Sequence, residues 1–530
     1  MTHPALIDAM KNPDFYPHHP AEVEFIQTHI SYVFIAGDFV YKIKKPVKFD
    51  FLDFTSLAKR KFYCLEELRL NRRLAPDTYL DVVPISRNPQ GDLTLESGSE
   101  IIEYAVRMKK LPADKMLKML LARKNADEKT MDALAEKIAL FHRQAQTGGH
   151  IDEMGSIENI RRNHDENFSE TADYIHVTLP EHQYLFIKGY AEQFLIDNKR
   201  LFEKRISDHR IRDCHGDLHL DHICINDEIA IFDCIEFNEH FRCGDVAEDV
   251  AFLTMDIDFN GYAELGEAFV KSYIRYSGDA DLPAVLNFYR CYSAYVRGKV
   301  TSIRLAQEDI TENEYRDTRQ TAEKYFDLAY SYAARLEKPV LIATAGLMGS
   351  GKSYQARQLA MRLGAEIIRT DVVRKEIFAL QPTDRRYEDF GRGIYTDDIS
   401  RLVYQKIFEL AGQKLRQDKP VIIDASFKKK EERQKAMHLA EKLGVRFYLL
   451  ECFCPDNITR RRLEKRLLKN DNASDGRWDL FQKQKNDFET IQEIPEKSHL
   501  KMDTSVHQEM IRHEMIVKIK KETAGCESGN

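Results

Sequence analysis

The stretch Gly346-Leu347-Met348-Gly349-Ser350-Gly351-Lys352-Ser353 constrains the fold of this chain more than any other. Ahead of it, Val340 to Ala345 is a short apolar, partly β-branched run that predicts a buried strand. Behind it, Tyr354 to Leu363 predicts a helix that Gly364 can stop. Gly, four residues, then Gly-Lys-Ser between a strand and a helix is the pattern of a phosphate loop. Its glycines let backbone N–H groups converge on phosphate oxygens, and the helix N-terminus adds partial positive charge. Lys352 is placed to reach β/γ-phosphates and Ser353 to ligate Mg²⁺. A plain Gly-rich turn is the competing explanation, but a turn needs neither the lysine nor the serine. A nucleoside triphosphate site, with ATP as the expected nucleotide, is implied.

At 530 residues, the chain exceeds one ordinary core and predicts two to four domains. A net charge of −7 argues against general nucleic-acid or membrane-surface binding. The first residues have no signal-peptide pattern, and no run approaches the apolar length of a membrane span. Nine cysteines without an export signal fit a cytoplasmic chain with free thiols. Helical periodicity over Thr318 to Leu336 ends at Glu337-Lys338-Pro339, so one domain is expected over residues 1–335 and a second over 336–522. Residues 523–530 are expected to form a flexible tail.

In the first half, runs around Ala36-Gly37-Asp38 predict a hairpin with Lys42 in its second strand. Alone, such a lysine is a solvated side chain. Next, Thr55 or Ser56 can cap a helix whose apolar stripe includes Glu67, while Glu66 points away. A carboxylate on a buried face needs a cation, and Lys42 is the candidate. Strand-lysine to helix-glutamate pairing is what a protein-kinase-type lobe uses to hold ATP phosphates. Helical patterns then dominate to Asp208, and a strand-rich start before a helical remainder suits a two-lobed fold. Chemistry concentrates at Cys214-His-Gly-Asp-Leu-His-Leu-Asp-His222, followed by a hairpin ending at Asp233. Asp217 fits the base that accepts a hydroxyl proton, and Asp233 fits a Mg²⁺ ligand.

His215-Gly-Asp-Leu-His219 with Phe232-Asp233 resembles the aminoglycoside phosphotransferase and choline kinase superfamily, over about residues 25–300. The resemblance implies a protein-kinase-like fold and Mg²⁺-dependent transfer of phosphate from ATP to a hydroxyl. Where that family has a metal-binding asparagine, this chain has His222. Imidazole nitrogen prefers softer metals than Mg²⁺, so His222 could serve with Mn²⁺, or this half could bind nucleotide without efficient turnover. A zinc site from Cys214, His215, His219, His222 and Cys224 is a further alternative, without the usual Cys pair. Asp245 is expected as an N-cap or first-turn acid.

Beyond the phosphate loop, βα alternation continues. Ala365 to Asp371 predicts a strand ending in a carboxylate, and Asp371 is open as either a site residue or a helix N-cap. Lys419 to Asp424 predicts a second strand whose aspartate suits the Mg²⁺ shell. A basic helix from Asn457 carries Arg462 and Arg466 on one face. It is either a solvated surface or a lid that neutralises a transferring phosphoryl group. Residues from about 338 to 520 resemble P-loop kinases of small hydroxylated molecules, such as gluconate kinase, chloramphenicol phosphotransferase and zeta-type toxins. That resemblance implies Asp371 as base on the acceptor hydroxyl. Together the halves resemble a bacterial group fusing a phosphotransferase-like domain to a P-loop kinase. The expected fold class is α/β and α+β: a two-lobed kinase-like domain, then a three-layer α/β/α domain with a parallel sheet. The expected partner is a small-molecule hydroxyl substrate.

Overall fold

A computed structural model describes residues 4–524 apart from 50, 89, 96–97, 99, 308–309, 382–392, 468–476 and 507. The chain divides into two compact units, Met1–Ala329 and Tyr330–Asn530. The helix Glu312–Ala334 carries the chain from one to the other.

Buried and partly exposed residues alternate along much of the central strands of the first sheet. Its strands run in spatial order Val23–Gln27, Ser31–Ala36, Phe39–Lys44, Glu100–Lys109, Tyr79–Arg87 and Leu93–Thr94, each antiparallel to its neighbours. Phe34, Ala36, Tyr41, Ile43, Ile85 and Ala105 point to one buried face, with Leu6 and Met10 of the helix Pro4–Lys11 against them. On the same strand, Lys42 and Lys44 share the opposite face by the two-residue period. That face meets the helix Leu57–Asn71, whose N-cap is Ser56. The rest of the unit is mainly helical, including Glu128–Gln144, Val246–Phe259 and Leu282–Ile303. Asp245 caps the second of these, accepting the Ala247 N–H at 2.9 Å.

The second unit holds five parallel strands, in spatial order Glu366–Arg369, Val421–Asp424, Val340–Ala345, Arg446–Phe453 and His499–Asp503. Every residue of Val340–Ala345 is buried, as a parallel strand covered on both faces requires. Leu341, Ala343, Ile423 and Leu449 pack against the helices Asp397–Leu415 and Lys430–Lys442. The helix Lys352–Leu363 buries Leu359 and Leu363 and ends at Gly364, whose φ of 67° closes it in the left-handed conformation. Among the described residues, no helix is long and apolar enough to cross a membrane.

Candidate functional sites

In the first unit, the site begins with a charge cluster between strand and helix. Lys42 Nζ lies 2.8 Å from Glu67 Oε1 and 2.6 Å from Asp233 Oδ1. Lys44 Nζ lies 2.8 Å from Glu67 Oε2 and also contacts Glu236. Glu67 and the Lys44 side chain are fully buried, so mutual pairing is what keeps them ionised. Burial opposes the charge on Lys42, yet Asp233 and Glu67 more than offset it and raise its ammonium well above the usual range. Burial likewise pushes the Asp233 carboxyl up, but Lys42 and then His222 hold it well below its ordinary value.

Asp233 adopts a φ of +61°, a conformation uncommon for a residue other than glycine. Its N–H donates to the Tyr79 hydroxyl at 3.2 Å, and the Cys234 N–H donates to Asn71 Oδ1 at 2.8 Å. Such strain persists where the surroundings over-determine it.

The loop carrying Asp217 is held from below by one carboxylate. Asp249 accepts the N–H groups of His215 and Gly216 at 2.8 and 2.9 Å, and lies 3.1 Å from His142 Nε2. Gly216 has a φ of +82°, and a Cβ there would meet Phe241 O at 2.5 Å. His222 Nδ1 lies 2.9 Å from the Asp217 carbonyl, which can only accept, so Nδ1 carries the proton. Its Nε2 faces Asp233 Oδ2 at 3.5 Å. His219 Nδ1 accepts the Asp221 N–H at 3.3 Å, which leaves its Nε2–H facing Asp217 Oδ2 at 3.6 Å. Burial would raise the Asp217 carboxyl; the His219 hydrogen bond, His222 and Arg297 hold it lowered to about 2. It is thus an ionised acceptor for a hydroxyl proton.

The zinc alternative brings its residues to different places. Cys214 falls with His142 and Asp249, while His219 and His222 fall with Asp217; among the described residues Cys224 joins neither group. Lys44, Glu236 and Asp249 belong to this site and are not among the residues expected from sequence, whereas His219, expected only in the motif and the zinc alternative, orients Asp217. For Lys44 a signal existed, since it stands two residues beyond Lys42 on one strand.

In the second unit, three loop glycines take left-handed conformations: Gly346 at φ +137°, Gly349 at +77° and Gly351 at +94°. A Cβ at Gly346 would stand 2.2 Å from Cys452 O. Inside the loop, Ser350 Oγ is buried with no hydrogen-bond partner among the described residues. Lys352 Nζ donates to Leu347 O at 2.8 Å, and the Met348 N–H donates to Gln484 Oε1 at 2.7 Å. Lys352 opens the helix and Ser353 is its second residue. Asp424 ends the strand beside the loop, with Arg369 Nε 3.3 Å from its Oδ2.

Asp371 departs from expectation in one respect. The strand stops at Arg369, which is the N-cap, and Asp371 stands in the first turn of the helix Thr370–Ile377. Thr370 can enter the helix because its hydroxyl bonds the Asp424 carbonyl at 3.2 Å. Arg462 donates to Thr504 Oγ1 at 2.8 Å and to Thr504 O at 2.7 Å, and reaches Gly349 O at 3.4 Å. Thr504 in turn donates to Ser350 O at 2.8 Å. These bonds make Arg462 a brace behind the loop. The side chain of Arg466 lies outside the described residues. Arg369, Thr504 and Gln484 carried no sequence signal, because packing alone brings them to the loop.

Residues 63–289 match the model of the phosphotransferase enzyme family, and residues 341–491 match that of the AAA domain. Proteins of Mycobacterium tuberculosis (strain ATCC 25618 / H37Rv) and Mycobacterium bovis, both described as uncharacterized, are each 29% identical over 453 residues. Each alignment covers 85% of this chain and 88% of the relative. Among solved structures, a choline/ethanolamine kinase family protein from Mesorhizobium loti is 12% identical, with a TM-score of 0.36 over 61% of this chain and 98% of that one. A gluconokinase from Sinorhizobium meliloti 1021 is 18% identical, with a TM-score of 0.26 over 36% and 98%.

Proposed function

From a chain that joins a phosphotransferase-family domain to a P-loop AAA-type domain, we propose a cytosolic kinase with two ATP sites, each transferring the γ-phosphate to a hydroxyl of a small molecule. One observation carries most weight: the glycine cradle of Gly346, Gly349 and Gly351, beside Asp424 at the carboxyl end of the neighbouring parallel strand. Loop amides and the orphaned Ser350 hydroxyl suit phosphate oxygens, and ligands of open parallel sheets bind at this edge. Lys352 moves from the Leu347 carbonyl to a β/γ-phosphate. Arg462 keeps the loop in shape through Thr504 and Gly349. Asp371 accepts the proton of the acceptor hydroxyl. Ser353 and Asp424 are oxygen donors that fit Mg²⁺, which when bound neutralises charge on the transferring phosphate. In the first unit, Lys42 orients phosphates, Glu67 and Lys44 hold Lys42 in place, and Asp217 accepts the hydroxyl proton.

Titration of ATP into the intact protein and into Lys352→Ala tests the count of sites: retained binding at one site in the variant supports it, and complete loss sinks it. Mass spectrometry of a metabolite pool incubated with ATP then assigns the chemistry. Loss of a phosphorylated product in Asp371→Asn but not in Asp217→Asn places it in the second unit.

The position of His222 favours a second possibility, a first unit that binds nucleotide and regulates without turnover. Products unaffected by Asp217→Asn, together with intact binding there, would select it.

A further inference from the structure

Mg²⁺ is the ion implied for the first unit, and the donor set there does not fit it well. Mg²⁺ demands hard oxygen ligands and near-octahedral geometry, and it binds imidazole reluctantly. Beside Asp233 Oδ2, at 3.5 Å, stands a nitrogen donor, His222 Nε2. We propose that His222 Nε2 and Asp233 Oδ2 form a binding site for a divalent transition-metal ion that accepts nitrogen ligands, carried into the unit with the nucleotide. The inference rests on the first unit being a nucleotide site.

Hydrogen bonds fix the chemistry of each atom. The Asp217 carbonyl takes the His222 Nδ1 proton at 2.9 Å, so in the neutral ring, the form that binds a metal, the lone pair is on Nε2. That outer bond is the usual orienting contact of a metal-binding imidazole. On Asp233, Lys42 occupies Oδ1 at 2.6 Å and leaves Oδ2 directed at the ring. Nε2 and Oδ2 stand 3.5 Å apart, longer than a hydrogen bond of about 3 Å. Two ligand atoms at that separation, each about 2.1 Å from one ion, subtend about 110°, an ordinary angle for such a metal. The ring cannot turn to another partner without losing the Asp217 carbonyl.

Neighbouring groups leave this pair as the natural ligands. Ligand atoms of Asp217, His219 and His222 also lie within 4.8 Å of one another. His219, however, presents a protonated Nε2 to Asp217, because its Nδ1 accepts the Asp221 N–H. It therefore orients a carboxylate and does not offer a lone pair. The second unit, with Ser353 and Asp424, offers oxygen donors for the same task. One chain would then hold two nucleotides with ions of different chemistry.

The test uses the full-length protein carrying Lys352→Ala, a non-hydrolysable ATP analogue and Mn²⁺ as the probe ion. Pulsed electron paramagnetic resonance is expected to show nitrogen coupled to the bound Mn²⁺. Labelling the chain with ¹⁵N-histidine should change that coupling, which separates histidine from adenine nitrogen without any further substitution. Competition should show Mn²⁺ preferred over Mg²⁺ by about tenfold to a hundredfold more than in the His222→Asn variant. Analogue bound with Mn²⁺ but without histidine coupling overturns the metal site and leaves the nucleotide site standing. An equal ion preference in His222→Asn overturns it likewise. Absence of both analogue and Mn²⁺ from the first unit overturns the metal site and the nucleotide site together.

Discussion

Replacing Lys44 by methionine keeps the stem and removes the charge, which leaves Glu236 at a position where its side chain is 4% exposed. Burial already raises the Glu236 carboxyl, with Lys44 the largest opposing influence. Without that lysine the carboxyl takes up a proton instead of remaining ionised, and the free energy of doing so bounds the damage. From its ordinary value of 4.5 up to pH 7, at about 1.36 kcal/mol per unit, the bound is about 3.4 kcal/mol. Glu67 keeps Lys42 at 2.8 Å, and the burial cost of Lys44 itself disappears, so a loss of about 2–3 kcal/mol is expected at pH 7.

The sign of the pH dependence follows. In the variant the folded carboxyl is raised above its unfolded value, so the folded state binds more protons and the deficit shrinks as pH falls. Between pH 7 and pH 5 it should shrink by up to about 1.4 kcal/mol per unit. Urea unfolding at the two pH values measures this. The only tryptophan of the chain, Trp478, lies in the second unit, so its fluorescence follows that unit, while far-ultraviolet circular dichroism follows both. The transition seen by dichroism and not by fluorescence belongs to the first unit. Lys44→Met with Glu236→Gln should restore stability to within about 1 kcal/mol, since no buried charge then lacks its partner. A deficit equal at pH 5 and pH 7, or undiminished in the double variant, refutes the assignment.

Gly346→Ala forces an L-residue to φ +137° with its Cβ 2.2 Å from Cys452 O. Strain on the order of 1–3 kcal/mol should weaken second-unit nucleotide binding tenfold to a hundredfold, read by calorimetry. His164 lies among Phe168, Phe288 and Tyr292, and burial lowers its imidazole to about 3. Its folded value is below the unfolded one, so its contribution is complete above pH 6.5 and fades as pH falls towards 3. His164→Leu should remove a stability slope of about 1.4 kcal/mol per pH unit in that window, measured by denaturation against the parent protein. Arg205 pairs with Asp245 at 2.6 Å and Asp279 at 2.9 Å, all buried. Arg205→Met should destabilise the first unit by about 3–5 kcal/mol in the same urea assay.

Legibility in the sequence followed locality. The strand, loop and helix around Gly346 to Ser353 could be read because each residue there acts through its own backbone conformation or through neighbours in sequence. Glu67 could be read as buried because helical periodicity put it on the apolar stripe. Lys44 carries an equal signal, its position two residues from Lys42, but a single buried carboxylate calls for only one cation, and the second carboxylate, Glu236, lies far off in sequence. Glu236, Thr504 and Gln484 differ in kind. They reach their sites from distant segments, and nothing in their flanking residues specifies which backbone atom they will meet. Asp371 marks an intermediate case. Its neighbourhood on the strand edge was legible, but a Thr370 hydroxyl bond to the next strand shifted the strand–helix boundary ahead of it.

The contact of Lys42 with Asp233 has a consequence for ionic strength. The lysine, its own side chain 14% exposed, already rests 2.6 Å from the half-exposed Asp233 carboxylate. A phosphate that engages Lys42 takes over a counter-ion's place, so little new charge is neutralised at that residue and few dissolved ions are released. Added salt should therefore weaken binding at the first unit only slightly, even though a charged nucleotide is the guest.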